Sequence, residues 1–75
     1  MNDVKKLLAM IGKENIDENS TNLLGSGILD SLDVMSLVEA IEQKYGKALD
    51  TKYIEIENFQ SLEAIRKMIK MAFGE

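Results

Sequence analysis

The stretch that decides the fold is residues 27–42, which read GILDSLDVMSLVEAIE. Asp30 and Ser31 are both good helix N-caps, and Asp33 places a negative charge in the first turn, where it suits the helix dipole. Gly46 is a typical residue to follow a last helical turn. These signals predict a long amphipathic helix that begins at Asp30 or Ser31 and ends before Gly46. Its apolar face is predicted to contain Val34, Leu37, Val38, Ile41 and Tyr45.

Toward the N-terminus, the sequence predicts a first amphipathic helix over residues 3–11, with Asn2 or Asp3 as its cap and Gly12 at its end. Residues 12–30 are rich in Gly, Asn, Ser and Asp, which are loop residues. A connection this long is usually functional or disordered. Embedded apolar residues favour an ordered loop held to the core, and these are Leu23, Leu24, Ile28 and Leu29.

Toward the C-terminus, residues 47–60 are ambiguous. Residues 53–57 partly alternate in polarity like a strand, but the chain offers no second strand, and an isolated strand is not stable. We therefore expect a loop with one short helix, followed by a last helix that Ser61 caps and Gly74 ends. The predicted fold is all-α: a small helical bundle of three main helices plus one short helix, forming a single domain over residues 1–75.

Composition excludes several classes of function. The 75 residues include no Cys and no His, so no disulfide, no thiolate metal site and no histidine base is available, and we expect neither an enzyme nor a metal site. The net charge of −4 argues against nucleic-acid binding. The longest apolar run, residues 7–11, is far too short to span a membrane, and no signal peptide is evident, so we expect a cytoplasmic protein.

The negative charge is concentrated in the middle of the chain. Residues 14–43 contain seven acidic side chains and no Lys or Arg. This zone is either a solvated face or a docking surface for basic partners.

Three short motifs could carry chemistry. The loop that starts at Asp17 lacks the glycine and the final glutamate of an EF-hand, and residues 25–27 (GSG) lack the lysine of a phosphate-binding loop. Ser31 is more informative, because it lies where a long loop meets a helix N-terminus that favours a negative group such as an attached phosphate. The alternative is that Ser31 only caps the helix.

Residues 27–42 resemble the phosphopantetheine attachment region of acyl carrier proteins, and the order of predicted elements is similar over nearly the whole chain. The resemblance implies that Ser31, in the motif Asp30-Ser31-Leu32, carries a 4′-phosphopantetheine arm that a separate transferase takes from coenzyme A. Acyl or aminoacyl groups would ride on that arm as thioesters, and the chain would be a carrier and not an enzyme.

The resemblance also implies partners. Asp30 and Asp33 would help to recruit the transferase, and Glu39 and Glu42 would extend the docking face toward acyl or aminoacyl ligases and synthases. The segment Ile28-Leu29-Asp30-Ser31 is more similar to stand-alone carriers of specialised pathways, including D-alanyl and peptidyl carriers, than to carriers of fatty acid synthesis. We expect a monomer without membrane insertion. The competing hypothesis is a small acidic adaptor that is never modified.

Helical geometry separates the acidic residues from the core. At about 100° per residue, Asp33, Glu39 and Glu42 all lie outside the predicted apolar stripe, with Glu42 closest to its edge. Carriers of this family can shelter an acyl chain between helices. The candidate lining residues, each also explained as plain core, are Leu24, Leu37, Val38, Ile41 and Phe59.

Overall fold

The computed structural model describes residues 4–74 and shows a helical fold. Helix α1 spans Val4–Met10, α2 spans Ser31–Tyr45 and α3 spans Leu62–Phe73. The described residues contain no strand, which confirms the all-α prediction. The single short helix predicted before α3 is instead two 3₁₀ segments, Thr51–Tyr53 and Ile56–Phe59. The predicted caps of the first helix, Asn2 and Asp3, lie outside the described residues.

Local signals set the ends of the two longer helices. Asp30, and not Ser31, is the N-cap of α2, so Ser31 is the first residue inside the helix. Gly46 adopts a left-handed conformation with φ of 66°, which a side chain would strain, and its N–H donates to the carbonyl of Glu42. Ser61 caps α3 as predicted, because its Oγ accepts a hydrogen bond from the N–H of Ala64 at 3.0 Å.

The core lies where α1 packs against both α2 and α3. The predicted apolar stripe of α2 is confirmed in its centre, while Val34 and Tyr45 at its ends are only partly buried. Phe59 is the largest completely buried side chain and connects the second 3₁₀ segment to this core. The buried apolar set is Val4, Leu7, Leu8, Leu23, Leu29, Leu37, Val38, Ala40, Ile41, Leu49, Phe59, Leu62, Ile65, Met68 and Ile69.

The long connection between α1 and α2 is ordered by contacts with the start of α3. The carbonyl of Gln60 accepts from the N–H of Leu23 at 2.9 Å, and its side-chain Oε1 accepts from the N–H of Leu24 at 3.0 Å. Leu23 and Leu29 are buried, as expected for residues that hold a loop to a core. Ile28 does not do so, because its side chain is exposed.

An exposed ionic contact also joins this connection to two helices. Glu18 accepts a hydrogen bond from Arg66 of α3 at 2.8 Å and lies 3.8 Å from the Nζ of Lys5 in α1. The Arg66 guanidinium, and secondly the charge of Lys5, lower the pKa of Glu18 below its ordinary value. None of the described helices is long and apolar enough to cross a membrane.

Candidate functional site

Ser31 occupies the first turn of α2 with its side chain exposed. The capping function belongs to its neighbours. Asp30 accepts from the N–H of Asp33 at 2.9 Å, and Asp33 in return accepts from the N–H of Asp30 at 3.1 Å. Among the described residues, none hydrogen-bonds the Ser31 hydroxyl. The structure therefore leaves this hydroxyl available for reaction, and the interpretation of Ser31 as the helix cap is wrong.

The capping arrangement keeps a negative charge beside Ser31. The backbone N–H of Asp33 donates to the Asp30 carboxylate and lowers the pKa of Asp30 below its ordinary value, and the nearby positive charge of Lys13 acts in the same direction. Asp30 is therefore ionised at neutral pH, one residue before the exposed hydroxyl.

The three predicted docking carboxylates occupy different environments. Asp33 lies in the capping arrangement and 3.5 Å from the Nζ of Lys13, which follows α1. Glu42 is partly buried and accepts a hydrogen bond from the N–H of Leu49 at 2.8 Å. Glu39 is exposed, and no described residue forms a hydrogen bond or ion pair with it. Of the three, Glu39 is the most accessible carboxylate.

Exposed apolar side chains surround Ser31, and the sequence analysis named only one of them, Leu32, as part of the motif around Ser31. We call Leu32, Met35, Ile54 and Ile56 the apolar rim. Leu32 and Met35 are 72% and 67% exposed, which is unusual for side chains of this size. A signal was present, since at about 100° per residue both lie on the same side of α2 as Glu39, away from the buried stripe.

Two depressions open between α2 and the connection that precedes α3. The wider groove has a volume of about 810 Å³ and the smaller cavity about 310 Å³. Ser31 lies at the smaller cavity. The wider groove is lined by Leu32, Met35, Ser36, Val38, Glu39, Glu42 and Ile54. The smaller cavity is lined by Leu24, Ser31, Val34, Met35, Ile54, Glu55, Ile56 and Phe59.

Of the residues predicted to shelter an acyl chain, some line these two depressions and others do not. Leu24 and Phe59 line the smaller cavity beside Ser31, and Val38 lines the wider groove. Leu37 and Ile41 are completely buried and line neither of these two depressions, so they belong to the core. Within residues 4–74, no cluster of three or more carboxylates could hold a metal ion.

Comparison with known families identifies the kind of protein. The sequence model described as "Phosphopantetheine attachment site" matches residues 2–69. The chain belongs to this family. Members are non-catalytic carriers that hold a covalently attached 4′-phosphopantetheine, so this phosphopantetheine carrier is not itself an enzyme. No curated protein and no solved structure matches the chain significantly.

Membership in the family makes two kinds of partner necessary. A phosphopantetheinyl transferase must attach the arm, and acyl-processing enzymes must load and unload it. The family match includes α1, α2 and most of α3, so the carrier architecture accounts for nearly all of the described chain.

Proposed function

We propose that this carrier holds its phosphopantetheine arm on Ser31 and delivers acyl groups, bound as thioesters, to partner enzymes. One observation carries the assignment: the Ser31 hydroxyl is exposed at the N-terminus of α2 and is not used to cap that helix. The phosphate that joins the arm to the protein would lie near the N-terminus of α2, where the helix dipole favours negative charge. The thiol at the end of the arm supplies the nucleophilic sulfur that the sequence lacks.

The other serines fit the role less well. Ser61 is a helix cap, and Ser26 donates a hydrogen bond to the carbonyl of Leu23 at 3.3 Å. Ser20 is partly buried in the long loop. Ser36 is exposed on α2 but lies in its second turn, away from the helix terminus, and lacks the flanking Asp and Leu. Asp30 and Leu32 are proposed to present Ser31, since one caps the helix and the other is exposed for contact.

The surface around Ser31 supports recognition by partners that combine positive charge with apolar groups. Glu39 provides an accessible carboxylate, and Leu32 and Met35 provide the apolar contact on the same side of α2. Complementary charge raises the rate of encounter, and apolar contact contributes affinity. Asp33 is proposed to contribute after exchanging Lys13 for a basic group of the partner.

The cargo is proposed to be an acyl or aminoacyl group. The smaller cavity beside Ser31 has a mainly apolar lining that includes Leu24 and Phe59, which supports an apolar acyl tail over a charged one. We further propose that the chain acts as a single carrier domain, as a monomer, in the cytoplasm.

Intact-mass spectrometry tests the attachment site. The wild-type protein is incubated with coenzyme A and a phosphopantetheinyl transferase and is expected to gain one arm. Ser31→Ala should gain none and keep its fold. The matched control is Ser36→Ala, an exposed serine of the same helix, which should be modified as wild type is. An arm on Ser31→Ala would overturn the assignment, and an unmodified wild type would favour the adaptor hypothesis.

A further inference from the structure

Glu42 holds the chain that returns from the end of α2. Its side-chain Oε2 accepts a hydrogen bond from the N–H of Leu49 at 2.8 Å, seven residues further along. Its backbone carbonyl accepts from the N–H of Gly46, also at 2.8 Å. The last turn of α2 thus fixes the start of the connection to α3 through two bonds to one residue.

The bond between Glu42 and Leu49 provides a hydrogen-bond acceptor for the backbone N–H of Leu49. Leu49 is buried, with 4% of its surface exposed, and no other described residue is seen to accept from its N–H. A buried N–H without a partner is costly, so the carboxylate has a structural use at this position. This use does not require a negative charge, because an amide oxygen can accept the same bond.

The segment that Glu42 fixes forms one wall of the site. Ile54, which lies beyond Leu49 in this connection, lines both the wider groove and the smaller cavity beside Ser31. The position of that wall therefore depends on how the connection leaves α2.

We infer that Glu42 is a positioning residue, which sets the shape of the surface that partners meet beside Ser31, and not a docking charge. The inference rests on the proposed function of Ser31. It separates two carboxylates that line the same groove: Glu39 would attract a basic partner through its charge, and Glu42 would act through the bond to Leu49.

Substitutions at Glu42 separate the effect of its charge from the effect of its side-chain length. Glu42→Gln removes the charge and keeps an acceptor of the same length, whereas Glu42→Asp keeps the charge and is one methylene too short. Glu42→Ala removes both. Glu39→Gln and Glu39→Asp are the matched controls, because Glu39 lies on the same helix without a partner among the described residues.

The experiment measures kcat/KM of the transferase for each variant at low and high salt, together with amide exchange of Leu49. We expect Glu42→Gln to remain within about twofold of wild type, and Glu42→Asp and Glu42→Ala to lose about fivefold at both salt concentrations while the Leu49 amide exchanges at least about fivefold faster. Glu39→Gln should lose rate at low salt only, and Glu39→Asp, which keeps the charge, should lose less rate there than Glu39→Gln does.

Each contrary result has a defined meaning. A salt-dependent loss in Glu42→Gln with a wild-type rate in Glu42→Asp would show that Glu42 is a docking charge. Faster Leu49 exchange with an unchanged kcat/KM would show that the bond is structural only. Either outcome overturns the inference. Failure of the proposed function is distinguishable from both, because the wild-type protein would then take no arm on Ser31 while the Leu49 exchange could still be measured.

Discussion

Replacing Gln60 by alanine should loosen the long loop at a single, identifiable point. The Gln60 side chain accepts from the N–H of Leu24, a bond that joins residues 36 positions apart. Alanine removes the side-chain oxygen of Gln60 and leaves the N–H of Leu24 without this hydrogen-bond acceptor. The backbone bond from Leu23 to the carbonyl of Gln60 remains, so the loop should stay near its place.

The magnitude follows from the partial burial of this bond. Leaving a buried N–H unsatisfied costs about 1–3 kcal/mol, and Leu24 is only partly buried, so we expect the free energy of unfolding to fall by about 1–2 kcal/mol. For a chain of this length, each kcal/mol of unfolding free energy that is lost lowers the melting temperature by about 4–8 °C. The melting temperature of Gln60→Ala should therefore fall by about 4–16 °C.

Thermal unfolding and amide exchange together test this prediction. Gln60→Glu keeps the acceptor oxygen and should lose less than half as much stability as Gln60→Ala. Gln43→Ala removes an exposed glutamine of α2 and should change the free energy of unfolding by no more than about 0.5 kcal/mol. The Leu24 amide should exchange faster in Gln60→Ala, while amides of α2 keep their protection relative to global unfolding. The reasoning would be refuted if Gln60→Ala had the same melting temperature as the Gln43→Ala control and its Leu24 amide exchanged as slowly as in wild type.

Three further predictions concern charge and capping. Because the folded-state pKa of Glu18 is depressed by Arg66, its contribution to stability is present above its ordinary value of 4.5 and is lost as the pH falls through the lower folded value. Glu18→Gln should therefore show a flatter acid branch of melting temperature against pH than wild type, and an acid branch as steep as that of wild type would contradict this role of Glu18. Ser61→Ala should lose about 1 kcal/mol in urea unfolding as its cap is removed, and an unchanged midpoint would contradict that role. Glu39→Lys should slow modification by the transferase at low salt and approach wild type at high salt; equal rates at both would leave the acidic zone as a solvated face.

Periodicity and capping residues were enough to predict the helices. The spacing of apolar residues located α2 and α3, and Ser61 and Gly46 marked their ends, because each of these signals acts within a few residues of the chain. The start of α2 was ambiguous by one residue, since Asp30 and Ser31 are both good caps. The structure chooses Asp30 because the Asp33 side chain completes a reciprocal pair of bonds with it.

The geometry of the candidate site was predictable only where it depends on neighbouring residues. The motif around Ser31 and its place at a helix start follow from neighbouring residues. The pairing of Asp33 with Lys13, in contrast, depends on how the end of α1 approaches α2, which no spacing along the sequence reveals. The same holds for Ile54, which becomes part of the apolar rim only through the path of the connection before α3.

Two of the side-chain hydrogen bonds that hold the connecting segments differ greatly in the length of chain that they close. The Glu42–Leu49 bond closes seven residues and the Gln60–Leu24 bond closes 36. Loop-closure entropy grows with the logarithm of length, so the longer loop costs about 1.4 kcal/mol more to close, which is about a tenfold disadvantage in probability. During folding we therefore expect the turn after α2 to form early and the long loop to attach late, once the start of α3 has docked. Mutations at Gln60 should accordingly speed unfolding and leave the folding rate nearly unchanged.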